Sequence, residues 1–154
     1  MAAEYLANAV QAVTLNAPVI FTASSIPCRK GYVYHEDETG IFILRGITCG
    51  QNYATYQVTF NANIAIPEGG TATPIAIAIT LNGEPRPTSR AIYSPSVVGD
   101  AGYGNVTSTC ILKIPRGCCF SLSVEYVDAD ADQTTTPAPV INVQNANLVI
   151  DRIA

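Results

Sequence analysis

The 154-residue chain has no tryptophan, one methionine and one histidine, and only 13% of its residues are charged. An ordinary soluble domain carries about 25% charge, so here the polar surface must be built from Thr, Asn, Ser and Gln. That scarcity excludes a coiled coil or helical bundle, which would be rich in Glu, Lys, Arg and Leu. Intrinsic disorder is excluded from the other side: hydrophobic residues make up 48%, whereas a disordered chain combines low hydrophobicity with high net charge. No run of Lys or Arg occurs, and eight basic against twelve acidic residues leave a net charge of −4. Binding to nucleic acid or to an anionic membrane through a basic face is therefore not expected. No apolar stretch approaches the roughly 18 residues of a membrane span. Residues 1–13 lack the basic leader, compact apolar run and cleavage pattern of a signal peptide. The chain is expected to stay where it is made, or to leave by lysis or as part of a particle.

Catalytic and metal-binding grammar is equally sparse. The five cysteines, Cys28, Cys49, Cys110, Cys118 and Cys119, form no C-x-x-C pair, which makes a poor disulfide framework and a poor zinc site. They read as reduced, structural thiols, several of them at apolar strand positions, with a Cys28–Cys49 bridge as the best disulfide alternative. His35 is the one histidine and stands beside Glu36, Asp37 and Glu38. Any Ser-His-acid or Cys-His pair must use it, yet no nucleophile-turn motif accompanies it, and a solvated hairpin tip explains the cluster as well. Asp128, Asp130 and Asp132 alternate like calcium-loop ligands, but Gln133 stands where the sharp-turn Gly belongs and Pro139 where the bidentate Glu belongs. They remain candidates for a site outside the EF-hand pattern, against the plainer reading of a charged loop. Gly99, Gly102 and Gly104 around Tyr103 match no phosphate-cradling motif. No catalytic residue, metal or cofactor is expected.

What the chain does have is a period of two. Over residues 52–66, Tyr56, Val58, Phe60, Ala62, Ile64 and Ile66 fall on one face, and Gln57, Thr59, Asn61 and Asn63 on the other. This is the pattern of a half-buried antiparallel strand. Residues 74–81 alternate Ile75, Ile77, Ile79 and Leu81 with Ala76, Ala78 and Thr80, and end in Asn82-Gly83, a pair suited to a tight turn needing positive φ. Residues 107–114 and 120–127 form a second pair across Pro115-Arg-Gly117. Residues 31–35 and 40–44 flank the acidic tip as a hairpin, residues 13–22 can be extended, and residues 145–153 close the series. Seven or eight strands with regular turns define an all-β sandwich or barrel. Residues 1–15 read as an N-terminal arm or short helix before a domain over 16–154. Residues 83–104 and 128–139 read as long loops.

The order of these segments is similar to that of C1q/TNF-like jelly rolls. Tyr53-Ala-Thr-Tyr-Gln-Val-Thr-Phe-Asn-Ala62 resembles their central aromatic strand, and Ile75-Ala-Ile-Ala-Ile-Thr-Leu-Asn-Gly83 the strand that follows. Ser108-Thr-Cys-Ile-Leu-Lys-Ile-Pro-Arg-Gly117, Phe120-Ser-Leu-Ser-Val124 and Ala146-Asn-Leu-Val-Ile150 continue the match, which spans residues 16–153 and lies in order, not in invariant residues. In detail, Gly31-Tyr-Val-Tyr-His35, Pro67-Glu-Gly-Gly70, Pro115-Arg-Gly-Cys-Cys119 and Val143-Gln-Asn-Ala-Asn147 resemble small proteins of phage and prophage regions. The fold resemblance implies an antiparallel jelly-roll β-sandwich that forms a homotrimer. The phage resemblance implies a virion part assembled in the bacterial cytoplasm: a capsid decoration protein or a fibre head. The chain lacks the collagen-like or coiled-coil stem of fibre-borne relatives, which favours a free-standing trimer on a shell.

The large aromatics on regular strands, Tyr56, Phe60, Phe120 and Tyr126, together with Leu122, can fill a sandwich core or line a subunit seam, since interface cores favour aromatics and lack charge. Sparse charge itself points to a closed oligomer, because apolar surface left open on a monomer aggregates. The expected function is non-enzymatic and structural: a homotrimeric decoration protein on a phage particle, contacting capsid or other virion proteins. The alternative is a receptor- or glycan-binding head of a fibre or adhesin, in which Tyr93 and Tyr103 on the long loop stack on sugars.

Overall fold

An alternating strand has one apolar face, and a sheet of such strands hides that face against a second sheet. The computed structural model, which describes residues 1–129 and 138–154, builds this arrangement. Among the described residues the strands are β1 (Ala2–Ala7), β2 (Gln11–Val13), β3 (Ala23–Ile26), β4 (Val33–His35), β5 (Phe42–Arg45), β6 (Tyr53–Ala65), β7 (Ile75–Leu81), β8 (Glu84–Pro85), β9 (Ala91–Tyr93), β10 (Gly104–Pro115), β11 (Cys119–Val127) and β12 (Ile141–Arg152). One sheet runs β10-β6-β12-β1-β3, with β2 also on β12; the other runs β4-β5-β11-β7-β8, with β9 also on β7. All pairings are antiparallel. The jelly-roll sandwich read from the sequence is the observed fold.

The long alternating segment is β6, paired along its length with β10 on one side and β12 on the other. Tyr56, Val58, Phe60, Ala62 and Ile64 are fully buried, facing Phe42, Leu44, Leu122, Val124 and the isoleucines of β7 across the core. Phe60 meets Phe21 edge to face at 6.4 Å, and Phe21 meets Phe42 at 5.4 Å, the geometry that ring quadrupoles favour. Asn82 and Gly83 turn the chain at φ of 53° and 80°, as the Asn-Gly pair requires.

Three expectations are corrected. Residues 1–15 form neither an arm nor a helix: β1 lies inside the first sheet between β12 and β3, burying Ala3, Tyr5 and Ala7. Small and aromatic residues at every second position suit a strand, and a lone helix of this length is marginal. Residues 83–104 are not a bare loop, because β8, β9 and two 3-10 turns at Pro87–Ser89 and Asp100–Gly102 lie within them. Of the five cysteines, all free, only Cys110 is buried; Cys49, Cys118 and Cys119 are exposed at turns and strand ends.

The last strand also starts earlier than its alternation suggested. Ile141 and Val143 are buried, then Ala146, Leu148 and Ile150. A register shift between Gln144 and Asn147, with Asn145 at φ 53°, inserts a bulge residue that resets which face is apolar. On β7 both faces are buried. Ala76 and Ala78 form a small satellite cluster with Val127, while Thr80 bonds the Ser123 hydroxyl.

Phe60→Ala should cost about 3–5 kcal/mol of stability in urea unfolding. Thr59→Ala, one residue along and on the outer face, should stay within roughly 1 kcal/mol.

Candidate interaction surfaces

The outer face of the first sheet follows directly from the parity of β6. Gln57, Thr59, Asn61 and Asn63 point away from the core, with Asn105, Thr107, Thr109 and Ile111 beside them on β10 and Asn147 and Val149 on β12. The side chains bond one another. Thr59 and Thr109 share a hydrogen bond at 3.0 Å, the Asn61 amide donates to Thr107 at 3.2 Å, and the Asn105 amide donates to Asn61 at 2.8 Å and Asn63 at 3.2 Å. Charge stands only at the margins, on Lys113, Asp151 and Glu4. The Asn147 amide donates to Glu4 at 2.6 Å and the Ser25 hydroxyl at 2.9 Å. These two donors hold the Glu4 carboxyl below its ordinary range, against a small opposing desolvation. The centre of the face is thus uncharged and internally hydrogen-bonded, with Ile111 60% exposed beside it.

The aromatic candidates lie elsewhere. Tyr56, Phe60 and Leu122 are fully buried and Tyr126 is 2% exposed, so all four fill the core of one chain. Phe120 is partly buried against that core. The Tyr56 hydroxyl donates to the backbone oxygens of Arg45 at 2.6 Å and Tyr32 at 3.2 Å, which satisfies the polar end of a ring sealed from water. Tyr93 and Tyr103 are both half-buried. Tyr93 donates its hydroxyl to the Gly102 oxygen at 2.7 Å, and its ring covers Gly104, where any Cβ would overlap it. The open tyrosines are Tyr34 and Tyr53, 56% and 50% exposed. Parity marks Tyr53: it is an odd-numbered position of β6, like Gln57 and Thr59.

His35 is not at a solvated tip. Its side chain is 1% exposed, stacked on Phe42 at 4.1 Å with Tyr5 edge-on at 5.0 Å. Nε2 bonds the Thr39 carbonyl at 3.1 Å; a carbonyl only accepts, so Nε2 is the donor. Nδ1 has no hydrogen-bond partner, and Asp37 stands 3.9 Å away. The ring borders a recess of about 310 Å³ shared with Tyr5, Ser24, Cys28, Tyr34 and Asp37, but neither ring nitrogen bonds a hydroxyl or thiol. A nucleophile–base pair is therefore not assembled in this geometry. Asp128 is half-buried, and Asp130 and Asp132 lie outside the described residues. Among the described residues no three His, Cys, Asp or Glu side chains converge on a metal position.

No known family profile matches the chain, and no curated protein does. Solved structures do match. The globular domain of zebrafish complement 1qA aligns over 99% of this chain and 97% of its own, at 15% identity and a TM-score of 0.58. Eiger TNF from S. frugiperda aligns over 100% and 92%, at 11% identity and 0.65. Murine APRIL at pH 5.0 aligns over 97% and 98%, at 12% identity and 0.52. The fold is that of the C1q/TNF jelly rolls.

Burial pushes the phenols of Tyr5 and Tyr126 up to about 12, with Cys28 and Asp37 adding to the first and Asp128 to the second. Their folded values exceed the ordinary value of about 10. The stability they contribute is therefore complete below about pH 10 and lost as pH rises through 12. In a phenolate absorbance titration these two rings should ionise last, together with unfolding, and Tyr5→Phe should remove one late phenolate.

Proposed function

We propose that the protein is a non-enzymatic homotrimeric structural domain whose copies pack through the outer face of the first sheet, displayed on the surface of a phage or phage-like particle. One observation carries the reading: the centre of that face has no charge, and the Thr and Asn side chains of β6 and β10 there are already bonded to one another. Taking a charge out of water is costly, and so is burying an unpartnered polar group. A surface with neither sheds its hydration cheaply, and interface cores are depleted in charge for the same reason. The C1q/TNF fold resemblance supports threefold packing, and the likeness of short segments to phage-region proteins supports the particle. Repetition across three subunits gives avidity, so each contact with a shell can be weak. In a glycan-binding head the stacking rings would be the open Tyr34 and Tyr53 and not the half-buried Tyr93 and Tyr103.

Light scattering on a sizing column should give three times the monomer mass, unchanged by reductant. Thr59→Lys with Asn61→Lys should reduce that mass to the monomer while leaving the thermal transition nearly in place. A wild-type protein that runs as a monodisperse monomer would sink the threefold reading. A cryo-EM map of the particle without density for this chain would remove the virion assignment and leave the trimer standing.

A further inference from the structure

The sequence contains no basic run, yet the topology gathers basic residues at one end of the sandwich. At that end β6 begins beside the close of β10 and β12, with Tyr53 opposite Pro115 and Tyr56 opposite Arg152. The start of β11 joins them, with Cys119 opposite Arg45. The turn after β10 is tied to the loop after β5: the Gly46 amide donates to the Cys118 carbonyl at 2.8 Å, and the Arg116 amide to Asn52 at 2.9 Å. The loop after β3 closes the group, the Arg45 amide donating to Tyr32 at 2.9 Å. Arg29, Lys30, Arg45, Lys113, Arg116 and Arg152, six of the eight basic residues, therefore share one end. The first five are exposed. The Arg152 guanidinium lies over the rings of Tyr32 at 4.6 Å and Tyr56 at 5.5 Å and donates to the Ile47 carbonyl at 2.7 Å. On these segments the acidic side chain is Asp151, 3.4 Å from the amino group of Met1.

The opposite end has the reverse sign. There β6 finishes, β10 and β12 begin, and the Gly99 amide donates to Ile66 at 2.7 Å. Glu68 and Asp100 are exposed, Asp128 follows the end of β11, and Glu125 stands just inside it. Among the described residues the loops that close this end carry no Lys or Arg; exposed Arg90, just before β9, stands level with Glu125, inside the end. Thirteen residues of β6 at about 3.3 Å each separate the two ends by roughly 40 Å. That is about four Debye lengths at 0.1 M salt, so each end presents its own field.

We propose that the basic end docks on the acidic end of a second copy, so that the protein self-associates head to tail along the strand direction. The two ends of one chain are complementary in sign, and both carry exposed apolar side chains to seal the contact: Ile47, Tyr53 and Ile153 at the basic end, Val97 and Val140 at the acidic one. The surface differs from the lateral sheet face, so this association does not depend on the trimer. A contact between unlike patches is heterologous, and with the two patches at opposite ends of the strands it extends into a row.

The test is sedimentation velocity over a range of protein concentration, with reductant present because Cys49, Cys118 and Cys119 are exposed. At about 10 mM salt, where fields reach about 30 Å, species larger than the basal assembly should grow with concentration. At about 1 M, where they reach about 3 Å, only the basal mass should remain. That basal mass reports the lateral assembly separately. The double variant Lys113→Glu with Arg116→Glu should weaken the low-salt association at least about tenfold, roughly 1.4 kcal/mol. Glu68→Lys with Asp100→Lys should do the same. An equimolar mixture of the two variants should associate again, each offering the other a complementary end. Association that persists in either variant alone, a mixture that stays apart, or a wild type with one mass at every salt and concentration would overturn the proposal. So would capture of polyglutamate by the wild type without self-association, which would assign the basic end to a different acidic partner.

Discussion

The pairing of β6 with β10 and β12 is the constraint on which the rest of the molecule depends. A strand held on both sides cannot slip by one residue without sending Phe60 and its neighbours into water and Thr59 and Asn61 into the core. Its parity is therefore set by the hydrophobic effect, and with it the composition of two surfaces at once. The even positions make the floor of the sandwich, and the odd positions make an uncharged outer face. The core and the proposed packing face are two sides of one alternation.

That is why the architecture was legible. Strict alternation in residues 53–65 and 75–81, the Asn82-Gly83 turn and the break at Pro115-Arg-Gly117 are local signals, each tied to a backbone geometry that few other residues meet. The missed features are those where a local signal is weak or reset. In β1 only Ala3, Tyr5 and Ala7 face inward, and alanines speak as readily for a helix. The bulge at Asn145 shifts apolar positions from odd to even, so periodicity read backward from Leu148 loses phase there. The small strands β8 and β9 are held by pairing to β7, which no window of sequence contains.

The candidate residues divide on similar grounds. Size and parity located Tyr56, Phe60, Leu122 and Tyr126 on strands but could not say whether they met another sheet or another subunit. A closed two-sheet sandwich answers with the first. Tyr93 and Tyr103 looked open because glycine-rich neighbours read as loop, whereas Gly104 is small so that the Tyr93 ring can lie on it. The clustering of Arg29, Arg45, Lys113, Arg116 and Arg152 comes from strands spread across the whole chain. Charge sums and runs are blind to it, and net charge −4 conceals a molecule with two unlike poles.

The seating of β1 between β12 and β3 has a consequence in time. Glu4 pairs with Val149 and Ala7 with Ala146, so β1 finds its partner only once every strand lying between the two in the sequence has been made. The first sheet cannot be completed before β12 has been made, and β6 must leave one edge open until then. Folding of this domain thus rests on contacts of long sequence separation and is slow by the standards of its size. Until the last strand is available, the nascent chain carries an unpaired edge that invites wrong partners.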